Sequence, residues 1–135
     1  AVGSVAKSQI AANQIVVCLA MEAREVGSDD KANELMKEFK DQFRFITATF
    51  HPPNLPGETP GKPSNTNWAA KQMFETEMGK LGLNINNVVV TVADADSEFH
   101  PQYFEALTYQ FLNAGCGESD TADRYVSIWQ PPIIH

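Results

Sequence analysis

The chain has 135 residues, with 10 Lys and Arg against 17 Asp and Glu, and a formal charge of −7. That length fits one domain, and a content of 43% hydrophobic and 20% charged residues is that of a globular chain. The acidic balance, with no Lys/Arg cluster to neutralise phosphates, argues against nucleic-acid binding, and no apolar run approaches the ~20 residues that span a bilayer.

The chain opens Ala1-Val2-Gly3-Ser4, without an initiator Met or a signal-peptide pattern, which reads as a processed or cut chain. Residues 15–20 form a continuous apolar run, strand-like and expected to be buried on both faces. Cys18 within it reads as a buried, inert thiol. Ser28-Asp29-Asp30 makes a helix start with acids at the positive end of the dipole. Ala32, Leu35, Met36, Phe39 and Phe43 follow at helical spacing. Residues 45–50, β-branched and aromatic, form the next strand, completing a βαβ unit with a right-handed crossover.

A long Pro/Gly-rich loop runs from His51 to about Asn65, a length that points to function or mobility. Asn65 or Thr66 is the expected cap of the following helix. Trp68, Ala70, Met73, Phe74, Met78 and Leu81 give that helix its apolar stripe, and Gly79 and Gly82 end it before Leu83. Residues 88–93 form a third strand, and it stops at Asp94-Ala95-Asp96. His100-Pro101 opens another helix, with Pro101 at its first position. Tyr103, Phe104, Leu107, Phe111 and Leu112 make its buried face. A polar loop at 115–123 contains Cys116, and a short last strand at 125–129 ends before Pro131-Pro132. Alternating strands and helices predict an α/β fold with a mostly parallel sheet flanked by helices.

The chemistry centres on the acid pair. On an extended strand, residues i and i+2 point the same way, so Asp94 and Asp96 would face one ligand. Ligands of open α/β sheets bind outside the carboxyl ends of the strands, and two acids there suit a hard divalent cation. Three other readings compete. In a calcium loop Asp94, Asp96, Glu98 and Glu105 fall on ligand positions, but Phe99 stands where glycine is needed. A phosphohydrolase would use Asp94 as nucleophile, but needs a further acidic motif downstream. The acids are otherwise solvated or capping groups.

Gly61-Lys62 is not a P-loop: Gly57 is one residue too close, and Pro63 replaces the hydroxyl. A Pro/Gly-rich loop carrying one lysine into a helix start can nevertheless approach a diphosphate, with Asn65 and Asn67 adding amide groups. His51 and His100 read as turn or cap residues, and His135 is terminal. No Ser-His-Asp, Cys-His or zinc spacing is legible.

The order Leu55-Pro56-Gly57-Glu58, Pro60-Gly61-Lys62, Asn65-Thr66-Asn67-Trp68-Ala69, then the run at 88–92 and Asp94-Ala95-Asp96-Ser97-Glu98-Phe99-His100-Pro101, resembles family 2 glycosyltransferases. The tail Ile128-Trp129-Gln130-Pro131-Pro132-Ile133 resembles a eukaryotic branch of that family. The resemblance covers the chain from about Ile15 to His135.

It implies a GT-A-type, Rossmann-like nucleotide-binding half, a single partial domain over 1–135. The family's first strand would lie before Ala1, and its catalytic base and Gln-x-x-Arg-Trp segment beyond His135. It implies that Asp94 and Asp96 hold Mn²⁺ or Mg²⁺ against the diphosphate of a UDP- or GDP-linked sugar, with Asp94 also on the nucleotide side. Lys62 and Asn67 resemble the family's Gly-Lys and asparagine positions near the nucleotide, and Glu22 an acid on the base or ribose. Three functions are carried forward. They are sugar transfer from a nucleotide sugar, an incomplete transferase fold serving as an assembly subunit with protein partners, and metal-dependent phosphate hydrolysis.

Overall fold

Two parallel strands form the centre, β1 (Val16–Glu22) and β2 (Phe45–His51), paired from Val16 opposite Phe45 to Glu22 opposite His51. The computed structural model describes residues 1–114, 125 and 127–130. Before β1 lie two four-residue helices, α1 (Val2–Val5) and α2 (Ala11–Gln14), which the sequence pattern had left unassigned. Between the strands runs α3 (Ser28–Phe39), and after β2 comes α4 (Lys62–Gln72). A π-helical turn (Met73–Glu77) continues α4 into the short α5 (Met78–Lys80), and α6 (Tyr103–Asn113) is the last helix described. The fold is therefore α/β, with a two-stranded parallel sheet and helices on it.

The strand period of two divides the sheet into two faces. Val17 and Ile46, register partners, pack with Leu35 and Phe39 of α3. The opposite side chains, Cys18, Thr49 and His51, face α4, where Trp68 sets its ring edge-on to His51. The main core lies off the sheet. Val5, Ala11, Phe39 and Phe43 are buried together, with Phe99 and Phe104 against them. The N-terminal segment is fastened there by Ser4, whose hydroxyl accepts the Phe99 N–H at 3.1 Å.

Several expectations change. Residues 88–93 form no strand. Val90 and Val92 are 73% and 58% exposed, and among the described residues the sheet has two strands only. A strand needs a ladder partner, and this segment meets none among the described residues. Nor is β1 buried on both faces: Leu19, at 9% exposure, is the one buried residue in it, and among the described residues the sheet has no third strand to widen its cover.

Helix α4 starts at Lys62, not at Asn65 or Thr66. Gly61 is its N-cap, with φ +147°, and Pro63 sits in the first turn, where a missing N–H costs nothing. The helical rod ends as expected before Leu83. Gly82, at φ +63°, turns the chain, and the Leu83 N–H closes on the Met78 carbonyl at 2.9 Å. Pro101 precedes α6 instead of opening it, because the Tyr103 N–H bonds the His100 carbonyl at 2.9 Å in a turn of its own. Of the strand expected at 125–129, residue 126 lies outside the described residues, and the rest is not assigned to a strand. The loop at 115–123 with Cys116, and residues 131–135 with His135, lie outside the described residues.

Candidate functional site at the strand ends

Parallel pairing brings the last residues of β1 and β2, Glu22 and His51, side by side at the carboxyl end of the sheet. His51 is 3% exposed and had been read as a turn or cap residue; it is instead a buried strand residue. Its Nε2 lies 2.8 Å from Glu58 Oε2, and its Nδ1 lies 4.0 Å from Glu22 Oε2. Arg24 Nε approaches the same Glu22 oxygen at 3.2 Å. Carboxylate, imidazole, carboxylate and guanidinium thus follow one another along one chain of contacts from Glu58 through His51 and Glu22 to Arg24. Beside them is a cavity of about 30 Å³, bounded also by Asn54 and Leu55.

The loop at 52–61 leads from His51 to α4. Ser64 Oγ donates to the Thr59 carbonyl at 2.7 Å, and Asn65 Nδ2 donates to the Ala20 carbonyl at 2.9 Å. The second bond seats the first turn of α4 against the end of β1. Asn65 Oδ1 is buried with no hydrogen-bond partner among the described residues.

At the start of α4, Lys62 Nζ donates to Asp94 Oδ1. Both side chains are more than half exposed, so the ion pair lies in water and is weak. Asp94 itself begins a turn. The Ser97 N–H bonds the Asp94 carbonyl at 3.1 Å, and Ser97 Oγ accepts the Asp94 N–H at 3.1 Å. The alternation argument for Asp94 and Asp96 therefore fails, because the pair stands in a turn and not on an extended strand. Asp96 and Asn67 are both exposed, Asn67 on α4.

Of the predicted residues, the fold joins Lys62 to Asp94 and places Asp96 in the adjoining turn. Glu22 belongs to the separate His51 cluster. His51, Glu58 and Arg24 were missed. One signal was available: the runs at 15–20 and 45–50 have equal lengths, and parallel pairing sets the residues that follow them, up to Glu22 and His51, side by side. His100 does act as a cap, its Nδ1 accepting the Gln102 N–H at 3.2 Å. Burial pushes the Cys18 thiol up, offset in part by its contact with Thr49 and reinforced by Glu77, which favours the thiol over the thiolate.

Two exposed carboxylates in one turn are hard oxygen donors, which suits Mg²⁺ or Mn²⁺ completed by phosphate and water. No group of three or more His, Cys, Asp or Glu among the described residues forms an all-protein cage. Likewise, no helix among the described residues is long and apolar enough to cross a membrane. No family model, curated protein or solved structure matches the chain.

Proposed function

We propose that the chain is the nucleotide-binding part of a glycosyltransferase of GT-A-type, Rossmann-like fold that takes its sugar from a UDP- or GDP-linked donor. The observation that carries this reading is the contact between Lys62 and Asp94. It unites the glycine–lysine loop and the acid turn, 32 residues apart in sequence, at one exposed spot. The start of α4 is seated there against the end of β1 by Asn65. Helix starts beside the carboxyl ends of parallel strands are where phosphates bind in α/β folds.

In this reading Asp94 and Asp96 hold Mn²⁺ or Mg²⁺, and Asn67 and Glu22 lie toward the nucleotide. The cation, when bound, supplies positive charge to a departing nucleoside diphosphate. Lys62 adds its ammonium to the same phosphates, which requires it to exchange Asp94 for them. An exposed ion pair permits that exchange, since such pairs contribute about 0–1 kcal/mol. The base that deprotonates an acceptor hydroxyl is assigned to no residue described.

Calorimetric titration with UDP or GDP and Mn²⁺ tests the reading. Binding is expected to require Mn²⁺ and to fall at least tenfold in Asp94→Ala, the range set by losing a charged partner to a ligand. Metal-independent binding, or none, refutes it.

A second reading, an assembly subunit built on the same fold, draws on one observation. Val90 and Val92 are exposed, and among the described residues their segment pairs with no strand of the two-stranded sheet. Apolar residues in that state suit coverage by another chain. Light scattering of the purified chain separates the two, because a strict monomer that binds nucleotide leaves this reading without support.

A further inference from the structure

We infer that Glu58 and His51 form a clasp that fastens the proline-rich loop over the strand ends and so sets Lys62 against Asp94, making both of them positioning residues. That Lys62 and Asp94 meet a diphosphate rests on the reading proposed above; the clasp rests on contacts alone.

The loop at 52–61 has four prolines, Pro52, Pro53, Pro56 and Pro60, and each lacks an N–H. Backbone hydrogen bonding therefore cannot hold it down as a ladder would. One internal turn forms, with the Glu58 N–H on the Leu55 carbonyl at 3.2 Å. Among the described residues, the remaining tethers are side-chain bonds. One is Ser64 to Thr59, beside the helix. The other is Glu58 to His51 at 2.8 Å, and it reaches the sheet itself.

That second tether is built to last. His51 is buried, its ring is braced by the edge-on contact with Trp68 at 5.8 Å, and its other nitrogen faces Glu22. Glu22 is in turn neutralised by Arg24. Charge-assisted hydrogen bonds of this kind are about twice as strong as neutral ones. Lys62 lies four positions after Glu58, a reach of at most ~14 Å. Releasing Glu58 therefore loosens the stretch that delivers Lys62, while Asn65 keeps the rest of α4 seated on Ala20.

The probe is acetic anhydride, with modification of each lysine followed by mass spectrometry. A lysine held by a carboxylate reacts more slowly than a free one. Glu58→Ala is expected to raise the reactivity of Lys62 relative to Lys71, on the same helix, by about threefold, as befits an exposed ion pair. Asp94→Asn is expected to do the same. Glu58→Gln, which retains an acceptor for His51, is expected to restore the wild-type ratio. General destabilisation would raise Lys62 and Lys71 together and leave their ratio fixed. An unchanged ratio in Glu58→Ala overturns the clasp. A parallel titration with UDP or GDP and Mn²⁺ keeps the two proposals apart. Absence of binding by the wild-type chain removes the nucleotide reading, whereas the lysine ratio still decides whether the clasp exists.

Discussion

Glu105, in the first turn of α6, ties that helix to the N-terminal segment. Its Oε1 accepts the Ser8 hydroxyl at 2.9 Å and the Gln9 N–H at 2.7 Å. Burial pushes its carboxyl up, but hydrogen bonds from its own backbone, Ser8, Gln9 and Ile10 outweigh that and leave it below 4.5. Hydrogen bonds that favour the charged form act in this direction. A glutamate depressed on folding stabilises fully above its unfolded value and loses that contribution as pH falls through its folded value. Glu105→Gln keeps one acceptor but removes the charge. Thermal unfolding followed by circular dichroism is expected to show wild type above the variant at neutral pH. The gap should close as pH drops below 4.5, the ordinary value for this group. A gap independent of pH would show that the charge contributes nothing.

At the scale of elements, the strands and α3 were legible because period and residue type agree. Residues 45–50 are β-branched and aromatic, and Leu35 and Phe39 repeat at helical spacing. The start of α4 was misplaced because Asn65 is a good cap residue by type, yet its side chain is used on the Ala20 carbonyl instead. Residues 88–93 show the limit of local pattern most plainly. Val88-Val89-Val90-Thr91-Val92 has strand composition, but composition supplies no partner. The exposure of Val90 and Val92 makes a quantitative prediction. Val90→Lys and Val92→Lys are each expected to change stability by less than about 0.5 kcal/mol, as at other surface sites. In a strand buried on both faces, losing a valine alone would cost about 1.5–3 kcal/mol. Urea denaturation distinguishes the two cases.

For the molecule as a whole, the alternation of strands and helices made the α/β class legible, whereas the core's location was not. Residues 1–14 carry too little periodicity for a helix to be read, and α1 and α2 are four residues each. They nevertheless supply Val5 and Ala11 to the buried cluster around Phe39 and Phe43. The candidate site divides in the same way. Lys62 and Asp94 were legible as charged groups at punctuated positions, while the His51 cluster draws on both strand ends and the loop, and only the fold assembles it. A core built from so few side chains should fail when one large member is truncated. Phe43 is 4% exposed and touches Phe39 at a ring separation of 6.1 Å. Phe43→Ala removes that packing and leaves a cavity, at a cost of about 3–5 kcal/mol. Domains of this size have about 5–15 kcal/mol in all. Phe74, 60% exposed on the π-helical turn, is the control: Phe74→Ala is expected to stay within about 0.5 kcal/mol of wild type. If both variants unfold at the same urea concentration as wild type, the stability of the molecule lies elsewhere than in the cluster joining α1, α2 and α3.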